Sequence, residues 1–149
     1  KTMQLYFKSW AFKHPRPYDF IRCAERVSGL ELDWYLMDWT QTTKQIDYQI
    51  NSIIGEGSKT KIVLKREKQM PMPIDILVKL KNGTSQLYNI PLTMMRGHRP
   101  LKGAELLESW SWAQPYYVFE INVSKEEVFE VIIDPLFFTA DVNRKNNRL

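Results

Sequence analysis

The stretch that decides the fold is Ile74-Asp75-Ile76-Leu77-Val78-Lys79-Leu80-Lys81-Asn82-Gly83-Thr84-Ser85-Gln86-Leu87-Tyr88-Asn89-Ile90. Ile74, Ile76, Val78 and Leu80 recur at every second position, the period that lays side chains along one face of a strand. Asn82-Gly83 follows, a pair that tolerates positive φ and so marks a hairpin turn, with a return strand over about Thr84–Ile90. The same period extends upstream through Ile46, Tyr48 and Ile50, then through Ile62 and Leu64 beyond a Gly55-Glu56-Gly57-Ser58 turn. Downstream, after a looser region with Gly97, Pro100 and Gly103, it returns in Tyr117, Phe119, Ile121 and Val123, and again in Phe129, Val131 and Ile133. Six or seven short strands with no helices between them predict an antiparallel β-sandwich of the immunoglobulin-like kind over residues 45–149.

Residues 1–44 follow a helical period instead. Met3, Tyr6, Phe7 and Trp10 fall on one face of a helix around Thr2–Phe12. Pro15 and Pro17 interrupt it. Pro17 fits the first turn of a second helix, where its missing amide costs nothing, and Asp19 complements the positive end of the dipole. Phe20, Ile21, Ala24 and Val27 form the buried stripe of that helix, and Gly29 is free to take the left-handed cap. A third helix over about Glu31–Thr40 carries Leu32, Tyr35, Leu36 and Trp39, with Trp34 at the margin. Three short helices holding three of the five Trp residues would expose much apolar surface by themselves, so they read as the edge of a larger helical core. The fold expected is mixed and mainly β.

Composition narrows the chemistry. The 149 residues are 44% hydrophobic and 26% charged, enough for a packed core and for one medium domain or one and a half small ones. The net charge is +4, but residues 1–50 carry seven basic and six acidic groups and residues 51–149 fourteen and eleven, so the surplus is thin and spread out. Lys61 and Lys65 alternate with Ile62 and Leu64, the pattern of a solvated strand face, and no nucleic-acid partner is expected. No membrane-spanning run is present in the sequence.

One cysteine and two histidines, His14 and His98, separated by 84 positions, exclude a local H-E-x-x-H zinc site in this chain. His14 and His98 read as turn and loop residues, because a base needs a nucleophile or a metal within reach and none is identifiable. Cys23 reads as a quiet buried thiol beside the apolar face of the second helix. Asp141, Asn143, Asn146 and Asn147 place oxygens at short spacing but lack the central Gly and bidentate Glu of an EF-hand, so turn capping accounts for them. Trp110 and Trp112 would share a strand face near Tyr116 and Tyr117. With Trp10, Trp34 and Trp39 they are the candidates for core or interface packing; exposed, Trp110, Trp112, Tyr116 and Tyr117 would grip glycan or peptide.

The segment from Trp10-Ala11-Phe12-Lys13-His14-Pro15-Arg16-Pro17-Tyr18-Asp19-Phe20, through Ser28-Gly29-Leu30-Glu31-Leu32-Asp33-Trp34-Tyr35, to Trp39, Thr42-Thr43 and Ile46-Asp47-Tyr48 resembles the end of the catalytic domain in aminopeptidase N-like zinc metallopeptidases of the gluzincin type. Ile133-Asp134-Pro135 and Asp141-Val142-Asn143-Arg144-x-Asn146-Asn147 are similar to the C-terminal end of bacterial members, particularly those of Bacteroidetes. The resemblance implies a parent enzyme that removes N-terminal residues from peptides with zinc-activated water. It places zinc, H-E-x-x-H, the G-x-M-E-N-like segment and the catalytic Tyr upstream, and neither Tyr18 nor Tyr35 inherits that last role. This chain would then be a non-catalytic piece with no metal or cofactor of its own. Its first partner would be the upstream catalytic domain. The larger C-terminal helical domain of many relatives is absent from it, and export or a periplasmic location is what the family suggests.

Overall fold

The computed structural model describes residues 1–149. Its α-helices are α1 (Thr2–Trp10), α2 (Pro17–Ser28) and α3 (Asp33–Gln41). Its strands are β1 (Tyr48–Glu56), β2 (Lys59–Arg66), β3 (Ile74–Leu80), β4 (Ser85–Ile90), β5 (Ala104–Leu106), β6 (Tyr116–Ile121) and β7 (Val128–Ile133). The chain is mixed and mainly β, with two sheets ordered β1-β2-β6 and β5-β4-β3-β7. No helix is long and apolar enough to cross a membrane.

Local chemistry explains the helix limits. Pro17 opens α2, the Arg16 N–H donates to Asp19 Oδ2 at 2.7 Å, and Gly29 closes the helix at φ 72°, its N–H donating to the Glu25 carbonyl. Of the stripe expected on α2 only Ile21 is buried; Ala24 is half-buried, Phe20 and Val27 are exposed, and Cys23 beside the stripe is buried. Helix α1 buries no residue, and its contact with α2 is an edge-to-face pair of Tyr6 and Phe20 at 5.3 Å. The helices meet the sheets through Leu30 and Trp34, which pack on the core, and through the Glu31 N–H, which donates to the Met95 carbonyl at 2.9 Å.

The two sheets share one core. Ile46, Tyr48, Ile50, Ile62, Leu64, Phe119 and Ile121 from the first side meet Ile74, Ile76, Val78, Tyr88, Ile90, Val131 and Ile133 from the second. Tyr88 and Phe119 touch across the gap with ring centroids 5.4 Å apart. At roughly 25 cal/mol per Å² of apolar area, each of these side chains contributes on the order of 1.5–3 kcal/mol when fully buried.

Four details differ from the sequence reading. The turn at Asn82-Gly83 is a three-residue loop, with only Gly83 at positive φ (84°); the Gly83 N–H donates to the Leu80 carbonyl, and the Leu80 N–H donates to the Thr84 carbonyl. Asn82 Oδ1 accepts from the Thr84 N–H and hydroxyl, which holds the type I turn plus left-handed glycine in place of a two-residue turn. Phe129 leaves its expected inward row and is 68% exposed, because the β3–β7 register shifts between Lys79 and Leu80 and pairs Leu80 with Val128. The looser region contains a short strand, β5, which runs parallel to β4, so the second sheet is not wholly antiparallel. Finally, Trp110-Ser111-Trp112 is not a strand: Trp110 makes one isolated bridge with Leu92, and a turn follows, in which the Gln114 N–H donates to the Ser111 carbonyl.

Candidate functional site

The five tryptophans do not gather. Trp110 is 1% exposed, meets Tyr48 edge-to-face with ring centroids 5.4 Å apart and lies tilted at 5.2 Å from Tyr117, and its indole N–H donates to the Gln114 carbonyl at 2.8 Å. Trp112, two positions on, is 62% exposed because the intervening turn rotates it outward. The expectation that both lie on one strand face is therefore corrected. Trp34 packs half-buried against the core with its N–H on the Glu31 carbonyl, Trp39 is exposed, and Trp10 is half-buried beneath Lys13. Tyr117 is half-buried and its hydroxyl donates to the Glu108 carbonyl, so of the four rings that could form a platform only Trp112 and Tyr116 face solvent.

Trp34 and Trp39 line a concavity of about 510 Å³ between α3, the paired ends of β3 and β4 and the loop after β7. Leu30, Met72, Met95 and Phe138 supply apolar wall, and Asp75, Asn89 and Arg99 supply the polar part. Asp75 and Asn89 face each other across β3 and β4, and Asn89 Nδ2 donates to Asp75 Oδ1 at 2.7 Å. Arg99 donates to the other carboxylate oxygen while its guanidinium lies 5.5 Å from the Phe138 ring. The Asp75 backbone carbonyl accepts the Asp134 N–H at 2.8 Å, which ties the loop after β7 to the pocket.

That loop is held by Asp134. Its carboxylate accepts the Phe138 N–H and Thr139 N–H, each at 2.8 Å, and the Thr139 hydroxyl at 2.7 Å, with Arg144 Nη1 at 3.3 Å. Burial pushes the Asp134 pKa up, but those donors outweigh it and hold the carboxyl below its usual range. Asp134 and Phe137 sit at φ 49° and 57°, a left-handed conformation that L residues rarely adopt. Leu136, Phe137 and Phe138 project outward from the loop.

A second buried polar knot lies beside it, around Tyr48, Met72 and Asp141. The Tyr48 hydroxyl donates to the Met72 carbonyl at 3.0 Å and accepts the Met72 N–H at 2.8 Å, and burial pushes its pKa up to about 12. Asp141 accepts the Tyr48 N–H at 3.0 Å, the Asn143 N–H at 2.8 Å and Asn147 Nδ2 at 3.3 Å. Asn146 Nδ2 reaches Asp47 at 2.9 Å. The Asp141–Asn147 run thus caps turns, as the spacing suggested, and it also anchors β1.

The remaining candidates stay apart. His14 and His98 are exposed, and Cys23 is a buried free thiol. Glu25, Glu31 and Asp33 cluster, but Arg22 bridges Glu25 at 2.5 Å and Asp33 at 3.3 Å, and the Leu32 N–H donates to Glu25. Lys61 pairs with Glu56 at 2.7 Å and Glu120 at 3.6 Å, and Lys65 with Glu67 at 2.8 Å, so the basic strand face carries its own counter-charges. Sequence reading had missed Asp75, Asn89, Arg99 and Asp134; Asp75 was legible only as a charge between two buried isoleucines. No family model, curated protein or solved structure matches the chain.

Proposed function

We propose that this chain is the non-catalytic C-terminal region of a zinc-dependent aminopeptidase: a remnant of the catalytic domain over residues 1–44 and an immunoglobulin-like sandwich over residues 45–149 that stiffens it and walls the substrate cavity. The observation that carries the reading is the uncovered apolar side of the helices. Met3, Phe7, Phe20, Tyr35, Met37 and Trp39 are all exposed, and α1 contributes nothing to the core. Such a surface fits helices that pack against an upstream helical domain of the same chain. Peptides would be substrates of the whole enzyme, and its zinc would be held by upstream residues.

The test uses Phe7→Asp. In the 149-residue chain it is expected to shift stability by no more than about 0.5 kcal/mol, since Phe7 is 63% exposed. In the longer enzyme it is expected to lower the melting temperature and peptide turnover, because a charge would enter a packed helical interface. An equal, negligible effect in both would remove the argument for a catalytic-domain remnant. The 149-residue chain alone is expected neither to bind stoichiometric zinc nor to hydrolyse aminoacyl-anilides. A glycan- or peptide-gripping module would present Trp110, Trp112, Tyr116 and Tyr117 together, and with Trp110 buried and Tyr117 half-buried that alternative has no comparable support.

A further inference from the structure

One sheet edge is left open. Of the four edges, β7 is covered by residues 147–149, β5 is only three residues long, and β1 is broken by a register shift between Ile50 and Ser52. Strand β6 pairs only with β2, and does so without a shift from the Lys65–Tyr116 pair to the Thr60–Ile121 pair. It holds no proline, lysine or arginine, residues that commonly blunt an edge. We infer that this edge docks a second copy of the chain, the two β6 strands pairing antiparallel about Val118.

The phase of the hydrogen bonds sets what the edge offers. The Arg66 N–H donates to the Pro115 carbonyl at 2.8 Å, so Pro115, Tyr117, Phe119 and Ile121 turn their backbone toward β2. Tyr116, Val118 and Glu120 turn theirs outward, a row of N–H and C=O groups with no backbone partner. Their side chains are exposed as well, Tyr116 by 49% and Val118 by 53%. Such a row is a template for an added strand. Its sequence names the occupant. In a two-fold antiparallel pair centred on Val118, Tyr116 faces the partner's Glu120, Val118 faces the partner's Val118, and Glu120 faces the partner's Tyr116, so every outward group exchanges bonds with its opposite. Val118 already lies beside Val63 of β2, and the pairing extends that contact into a row of Val63 and Val118 from both copies. Moving the axis to Glu120 would oppose two carboxylates, and moving it to Tyr116 would run Val118 and Glu120 past the start of the partner strand. The edge is therefore complementary to itself in one register.

A pair of edge strands buries less than the roughly 1,000 Å² of a standard complex, so association is expected between about 20 µM and about 1 mM. Sedimentation velocity of the 149-residue chain over that range is expected to show a monomer–dimer equilibrium. Amide hydrogen exchange is expected to slow at Tyr116, Val118 and Glu120 as the concentration rises, while Tyr117 and Phe119, already bonded to β2, stay unchanged. Val118→Lys sets two ammonium groups at the axis and is expected to weaken the dimer by about tenfold or more. Phe7→Asp, on the helical side, is expected to leave it unaltered, which separates this dimer from the catalytic-domain reading. A chain that is monomeric at about 1 mM overturns the proposal. So does a dimer that survives Val118→Lys but not Phe7→Asp, since it would form through the helices. Slowed exchange at the three amides on adding an alternating Val-Thr hexapeptide, but not with chain concentration, would give the edge to an unrelated strand and overturn the second copy. Should Val118→Lys not fold, the concentration dependence of those three amides in the unmodified chain decides alone.

Discussion

Tyr48 and Asp134 show how single polar groups specify this interior. Removing the Tyr48 hydroxyl by Tyr48→Phe strands the Met72 N–H and carbonyl in the core, and a loss of about 1–3 kcal/mol is expected in urea unfolding. Because the Tyr48 pKa is raised in the fold, its contribution is complete below the ordinary tyrosine value near 10 and declines as the pH climbs toward about 12. The unmodified chain should therefore lose stability over that alkaline interval, and Tyr48→Phe should lose less. Asp134 has the opposite sign. Its carboxyl is held low in the fold, so its contribution is present above the unfolded value near 3.8 and disappears as the pH falls through the lower folded value. Asp134→Asn should be destabilising at pH 6, and its difference from the unmodified chain should shrink at pH 2.5, as measured by urea midpoints.

Elements were legible where period and turn chemistry agreed, and illegible where one extra residue changed the count. The helix limits at Pro17 and Gly29 and the strands around Ile76, Leu64 and Val131 follow directly from spacing. The hairpin at Asn82-Gly83 was legible as a turn but not in its length. A two-residue loop would set Asp75 opposite Ile90; the three-residue loop sets it opposite Asn89 and so creates the polar part of the pocket. Bulges are equally silent in the alternation, since nothing local to Phe129 announces that Leu80 will pair with Val128. The pocket stayed hidden because its residues come from α3, both hairpin strands and the loop after β7, a convergence that exists only in three dimensions. The bulge has a mutational signature: Phe129→Thr should change stability by no more than about 0.5 kcal/mol, whereas Ile133→Ala, further along the same strand, should cost about 2–5 kcal/mol. Gly83→Ala should cost about 1 kcal/mol through its φ of 84° alone, since a methyl there meets no neighbour.

At the scale of the whole molecule the two sheets behave as one body and the helices as an attachment. The core draws on both sheets, whereas only Leu30 and Trp34 from the helical part reach it. Removing residues 1–12 should consequently leave the unfolding midpoint of the remainder almost unchanged, because no α1 residue joins the core that the two sheets share. The edge of β7 is covered by residues 147–149, whose Leu149 and Asn147 backbones pair with Val131 and Ile133. That arrangement protects a hydrophobic strand from joining a neighbouring chain.

The Asp141 carboxylate also imposes an order on biosynthesis. The Tyr48 amide it accepts lies 93 residues earlier, and the Asp47 carboxylate that meets Asn146 lies 99 residues earlier. At about 5–20 residues per second, the ribosome delivers these partners some 5–20 seconds after β1 has emerged. For that interval the opening strand has its hairpin with β2 but not the contacts that fix its beginning. The growing chain therefore carries an unfinished sheet until those residues emerge, and the segment from Asp141 onward acts as the clasp that completes it.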